Sequence, residues 1–226
     1  MLEIIPAILP KSFEDLKTSL ERVLNLTGSV QIDIVDGKYA GKPTWPFVGD
    51  NGEFKAMQRE ELGFPFWEEF DFEIDLMCED PFSYVKDWIT AGAQRIVFHV
   101  ETLDFDNDRL ALEQLRSEGL IEIGMAISID TENEKLDELI PYADFIQIMG
   151  INEVGFQKKP FDKHCVDKVR FFRDHYPELS ISVDGGMNPD TARLVIDAGA
   201  NRIIAGSYIF GSSDPQESIE NLKDLV

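Results

Sequence analysis

Ser180-Ile181-Ser182-Val183-Asp184-Gly185-Gly186-Met187-Asn188-Pro189 is the stretch on which the fold turns. A β-branched run ends on an aspartate, two glycines follow, and an Asn-Pro pair can open a helix. A carboxylate at the end of a buried strand is costly unless something uses it. Adjacent glycines let backbone N–H groups crowd an anion. One unit later Arg202-Ile203-Ile204-Ala205-Gly206-Ser207 repeats the design, an apolar strand and then Gly-Ser. Consecutive strands that end in glycine-rich turns are what a barrel phosphate site needs after its last two strands. The competing reading is a pair of ordinary βα turns, where glycine is common anyway.

The rest of the chain alternates in the same way. Strands are expected over residues 2–9, 30–35, 70–77, 94–100, 121–129 and 144–149, ahead of the two already quoted. Helices are expected over 13–24, 81–91, 107–118, 133–140, 161–175, 189–198 and 214–225, from apolar residues at helical spacing. Ser12 with Asp15 gives the first helix a start like a capping box, and Gly119 closes the fourth-strand helix. Residues 38–69 are the least regular, with a short helix expected over 53–62. The aromatic turns there, around Trp45 and around Phe64 to Trp67, suit either a lid or interface, or packing under a barrel rim. Eight strands in strict alternation argue for a parallel sheet closed as an α/β (β/α)8 TIM barrel, a single domain over residues 1–226. An open doubly wound sheet is the fallback.

Composition bounds the function. The chain has 226 residues, 43% of them hydrophobic, with a formal net charge of -22. That charge argues against nucleic acid and anionic membrane as partners. An anionic substrate must then be held by local amides, a cation or a metal. Cys78 and Cys165 are far apart and make neither a metal motif nor a disulfide framework, so a reduced cytoplasm is the expected compartment. The start shows no basic segment followed by an apolar run, and no signal peptide or membrane span is expected.

In a barrel the site lies at the C-terminal ends of the strands. Alternation puts Gln31, Asp33, Asp75, His99, Gln147 and Asp184 on inward faces there. Asp33, Asp75 and Asp184 would repel one another in one cavity, so either some are protonated or a cation sits among them. Oxygen ligands favour Mg²⁺ or Mn²⁺ over Zn²⁺. Two opposed aspartates also suit proton abstraction on one face of a substrate and delivery on the other. His164 and His175 fall among charged residues of a helix and are expected at the surface.

The chain resembles the ribulose-phosphate 3-epimerases from end to end. The resemblance rests on Pro6-Ala7-Ile8-Leu9, Asp33-Ile34-Val35-Asp36-Gly37, Asp75-Leu76-Met77, Phe98-His99-Val100-Glu101, Met149 with Asn152 and Gly155-Phe156, Val183-Asp184-Gly185-Gly186, and Ala205-Gly206-Ser207. It implies a ribulose-phosphate-binding type of barrel that inverts C3 of a pentulose 5-phosphate with a divalent metal. It implies Asp33 and Asp184 as the acid/base pair, Gly185, Gly186, Gly206 and Ser207 at the phosphate, and Ala7, Met77 and Met149 in the substrate pocket. His99 matches a position that is not a metal ligand. A homo-oligomer is expected from the family habit and from exposed aromatics.

The departures are specific. The family holds its metal with two histidines and the two aspartates; here those histidine positions read Gln31 and Asp75, so the expected ligand set is Gln31, Asp33, Asp75 and Asp184. The usual first-strand serine is Ala7 and the second-strand methionine is Val35. The phosphate-holding Gly-Gly after strand six reads Gln157-Lys158, with Lys158 as a replacement contact. Three readings stay open: an epimerase with a harder metal, a relative that takes another phosphorylated ketose through a pocket reshaped around Trp45, and a barrel that binds without catalysis. Decarboxylases of the wider barrel group need a lysine among strand-end aspartates, and Asp33 and Asp75 have no such neighbour.

Overall fold

The structure is a computed structural model that describes residues 2–156 and 158–225. Gln157, named above as a departure, lies outside the described residues. The strands β1 (Glu3–Ile8), β2 (Ser29–Val35), β3 (Asp71–Met77), β4 (Arg95–His99), β5 (Glu122–Ile127), β6 (Phe145–Met149), β7 (Ser180–Asp184) and β8 (Arg202–Ala205) form a closed barrel in sequence order. Every neighbouring pair is parallel, and β1 with β8 closes the ring. Closure leaves no sheet edge, which removes the open doubly wound alternative. The strands read as Ile and Val runs because parallel strands in a barrel are buried on both faces.

The outer layer comprises α1 (Phe13–Val23), α2 (Gly52–Gln58), α3 (Phe82–Ala91), α4 (Phe105–Glu118), α5 (Glu134–Asp137), α6 (His164–His175), α7 (Pro189–Ala198), α8 (Ser207–Phe210) and α9 (Pro215–Lys223). The Ser12 hydroxyl accepts from the Asp15 N–H at 3.1 Å, as a cap should. The Asp15 carboxylate accepts from the Lys11 N–H at 2.9 Å rather than from Ser12, so the reciprocal half of the box is displaced by one residue. Helix α6 begins at His164, later than expected. The Phe161 backbone instead lies against Gly186, and the Asp162 N–H donates to the Gly150 carbonyl at 2.8 Å, which pins this loop back to the barrel.

The aromatics of residues 38–69 mostly belong to the core. Trp45 is fully buried against Phe13, Phe54 and Trp88, with ring centroids 5.6, 5.7 and 6.1 Å away. Phe64 stacks on Phe72 at 4.3 Å. Burying such rings outweighs exposing them in a lid. Packing under the rim is therefore the outcome, and Trp45 does not line the pocket. Trp67, 65% exposed, is the large aromatic of this segment left in solvent.

At the opposite end of the barrel, Arg202 on β8 reaches inward to Glu73 on β3. Its other nitrogens donate to Glu3 at 3.1 Å and to the Ser182 hydroxyl at 2.8 Å, and its guanidinium lies 4.2 Å over the Phe145 ring. This ionic layer fills the floor beneath the site.

Candidate functional site

The pleat sends alternate residues inward, and the parallel register aligns Asp33 with Asp75 on adjacent strands. Asp184 closes β7, and Met149 pairs with it in register. Asp33, Asp75 and Asp184 are buried and each offers an oxygen; these three oxygens lie within 4.8 Å of one another. The inward placement is the one that strand alternation predicts for all three. Gln31 lies beneath, fully buried, and its Nε2 donates to Asp33 Oδ1 at 2.8 Å. Gln147 on β6 is also buried and donates from Nε2 to Asp75 Oδ2 at 2.9 Å.

Burial pushes the Asp33 carboxyl well above the usual carboxylate range, and the charges of Asp184 and Asp75 push it the same way. Burial and then Asp75 push Asp184 up to about 7, with His99 pulling it back. A close carboxylate pair of this kind titrates as a unit. His99, fully buried, has its Nε2 2.9 Å from Asp75 Oδ1. Burial alone would lower its pKa, but the neighbouring Asp75 charge and hydrogen bond outweigh this and raise it.

Behind His99 stand two residues that the sequence did not single out as site members. The Tyr39 hydroxyl lies 3.3 Å from His99 Nδ1 and donates to Glu101 Oε2 at 3.1 Å. Glu101 Oε1 accepts from the Ser128 N–H at 2.9 Å and the Thr131 hydroxyl at 2.6 Å. Glu101 belongs to the quoted Phe98-His99-Val100-Glu101 motif and was legible as a motif member only. Tyr39 sits in a loop with no period, and nothing local to it points at His99.

The donor set is the test of a metal. Three buried carboxylates converge, and Gln31 Oε1 beside them is buried with no hydrogen-bond partner among the described residues. An orphaned amide oxygen next to clustered negative charge is what a cation relieves. The set carries oxygens and no thiolate or imidazole, so it fits a hard divalent cation such as Mg²⁺ or Mn²⁺.

Above this layer one cavity is lined by Ala7, Met77 and Met149 together with Asp33 and Asp184. Gly185, Gly186, Gly206, Ser207 and Lys158 line the same cavity. The glycine pair is dictated by geometry: Gly185 and Gly186 have φ of +109 and +71, and a Cβ on Gly186 would meet Phe161 Cα at 3.0 Å. Asn188 caps α7, accepting from the Asp190 and Thr191 N–H groups, and the Thr191 hydroxyl donates back to the Gly186 carbonyl at 2.8 Å. Lys159 is paired with Glu153 at 2.7 Å, whereas Lys158 has no such ion pair among the described residues. His164 and His175 are exposed on α6, as expected.

Known proteins resemble this chain along nearly its whole length. The model of the ribulose-phosphate 3 epimerase family matches residues 3–210. The ribulose-phosphate 3-epimerase of Candida glabrata is 33% identical over 229 residues, covering 99% of this chain and 92% of that protein. The cytoplasmic isoform of ribulose-phosphate 3-epimerase from Oryza sativa subsp. japonica is 29% identical, covering 99% and 94%. Among solved structures, KGPDC from Streptococcus mutans gives a TM-score of 0.73 at 14% identity, covering 99% of this chain and 96% of that one. 3-Hexulose-6-phosphate synthase from Salmonella typhimurium gives 0.68 at 14%, covering 99% and 98%. At such identities the structural likeness is one of fold.

Proposed function

The chain belongs to the ribulose-phosphate 3-epimerase family, and from that premise we propose that it epimerises C3 of a pentulose 5-phosphate by two-aspartate acid/base chemistry. The observation that carries this reading is Asp33 and Asp184 on the walls of one cavity, from β2 and β7, with both carboxyl pKa values raised. An inversion needs one of the two protonated while the other is ionised, and in the metal-free cluster burial and neighbouring carboxylates push both carboxyls towards protonation. The ionised carboxylate takes the C3 proton, and the C–H electron pair moves into an enediolate. The protonated partner returns a proton to the opposite face of C3. The two groups exchange protonation states, and the reverse reaction restores them.

Gln31, Asp33, Asp75 and Asp184 would hold a divalent cation, Mg²⁺ or Mn²⁺ before Zn²⁺. When bound, it supplies positive charge that steadies negative charge developing on the substrate oxygens. The backbone around Gly185, Gly186 and Gly206 receives the phosphate, with the Ser207 hydroxyl and Lys158 as donors; Ala7, Met77 and Met149 shape the sugar pocket. The net charge of -22 makes such local donors necessary for an anionic substrate. The whole of residues 1–226 acts as one barrel domain in this reading. A cytoplasmic setting fits the name of the Oryza relative and the free thiols of Cys78 and Cys165. Among the described residues no helix is long and apolar enough to cross a membrane.

A second reading takes the same chemistry to a different phosphorylated ketose, and the replacement of imidazole ligands by Gln31 and Asp75 favours it. The test is interconversion of D-ribulose 5-phosphate and D-xylulose 5-phosphate, followed by NMR in D₂O with Mg²⁺, Mn²⁺ or Zn²⁺. We expect metal-dependent interconversion with deuterium at C3, lowered at least about 100-fold by Asp33→Asn and by Asp184→Asn. Each single variant retains at most exchange from one face. No turnover with any cation removes this substrate, and a panel of other ketose phosphates then decides between the second reading and a barrel that only binds.

A further inference from the structure

Asp75 stands where the family pattern has a metal-binding histidine, and it is held unlike its neighbours. Both its oxygens are already engaged: Oδ1 by His99 Nε2 and Oδ2 by Gln147 Nε2, each at 2.9 Å. His99 is fixed in turn from its far side. Its Nδ1 meets the Tyr39 hydroxyl at 3.3 Å, and the two rings lie 5.3 Å apart. Tyr39 donates to Glu101, which the Ser128 N–H and Thr131 hydroxyl hold at its other oxygen. The chain of contacts thus runs from β3 through β4 and β6 to the loops after β2 and β5.

Resting on the metal-dependent reading above, we propose that His99, backed by Tyr39 and Glu101, is the positioning residue for Asp75 and with Gln147 holds its carboxylate in one orientation in which it would receive a divalent cation. A carboxylate free to rotate can chelate through both oxygens or swing away. A carboxylate with a donor on each oxygen keeps one orientation, and its remaining lone pairs point where the clamp leaves them. Two amide oxygens beside the cluster, Gln31 Oε1 and Gln147 Oε1, are buried without a hydrogen-bond partner among the described residues, while the Nε2 of each donates to Asp33 and Asp75 respectively. The clamp also has an electrical role: an imidazole side chain that donates to Asp75 offsets part of the charge of three close carboxylates. A site that lost its imidazole ligands thereby keeps one imidazole acting through a ligand. Tyr39 carries the effect out to the mouth loop, where Gly41 lies against Gly155 of the β6 loop.

The experiment titrates the whole protein with Mn²⁺ alone, without substrate, and reads bound metal by electron paramagnetic resonance alongside a thermal melt. His99→Phe keeps the ring volume and removes the donors; we expect Mn²⁺ affinity to fall about 10- to 100-fold, with a broadened zero-field splitting. His99→Gln restores a donor and should recover much of the loss. Tyr39→Phe removes one hydroxyl and should weaken binding several-fold with no change in fold; it decides the matter if His99→Phe fails to fold. Wild-type affinity and an unchanged spectrum in folded His99→Phe, or in Tyr39→Phe where that variant must decide, overturn the proposal while leaving the metal site standing. A wild-type protein that binds no Mn²⁺ overturns the metal reading, and this proposal with it.

Discussion

Lys158 shows how much one side chain is asked to do. It lines the cavity beside the Gly185-Gly186 turn, in a chain whose net charge repels any sugar phosphate. A lysine that donates to phosphate is a charge-assisted contact, stronger than a neutral one. Lys158→Ala should raise KM for a ketose phosphate about 10-fold with little change in kcat, the mark of binding lost equally from ground and transition states. Steady-state kinetics checks this, with the unphosphorylated ketose as control, where no effect is expected. Lys159 lines the same cavity but is held by Glu153 at 2.7 Å and lies 5.0 Å over the Phe156 ring, so the same change there should raise KM less.

At the scale of elements, two devices hold the strand ends in place. The first is the cap on α7. Asn188 and Thr191 satisfy each other's backbone N–H groups, and Thr191 also binds the Gly186 carbonyl. Asn188→Ala should cost ~1 kcal/mol in a urea melt. It should also loosen the phosphate turn, which titration with inorganic phosphate would detect. The second is the floor of the barrel. Arg202 neutralises Glu73, which is fully buried inside the ring of strands. Arg202→Met leaves a buried carboxylate alone and should destabilise the protein by ~3–5 kcal/mol near neutral pH. The double variant Glu73→Gln with Arg202→Met should recover most of that. A double variant no more stable than the single one would show that packing, not charge, sets the loss.

For the molecule as a whole, the acid cluster links pH, metal and stability. Asp184 ionises near 3.8 when exposed and at about 7 in the fold, and Asp33 is raised as well. Between those limits the native state binds the extra proton. Its contribution is complete at acid pH and is lost as pH rises through about 7. The metal-free protein should therefore melt lower at about pH 8 than at about pH 5. Asp184→Asn should shrink this dependence. A divalent cation should raise the melting temperature more at the higher pH, because it binds the ionised carboxylates. Calorimetry across pH, with and without Mg²⁺, measures both terms; an equal melting temperature for metal-free protein at both values would contradict the clustering of these charges.

Much of this was determined by the sequence itself. Eight apolar strands, each followed by a helical or irregular segment, admit few arrangements other than a parallel barrel. Within a strand the period of two is strict, so Gln31, Asp33, Asp75, Gln147 and Asp184 were assignable to the interior from that period alone. The Gly185-Gly186 turn was legible because positive φ favours glycine, and a Cβ at either position would strike Ile151 or Phe161. What tertiary structure alone decided lies between elements. Trp45 and Phe64 read equally well as lid or core, and only their contacts across α1, α3 and β3 settled on core. The partners of Asp75 come from β4 and β6, and Tyr39 behind His99 comes from an aperiodic loop, at separations that no local pattern encodes. Local periodicity fixes which face a side chain takes, whereas the residue it meets there depends on how the closed ring brings distant strands and loops together.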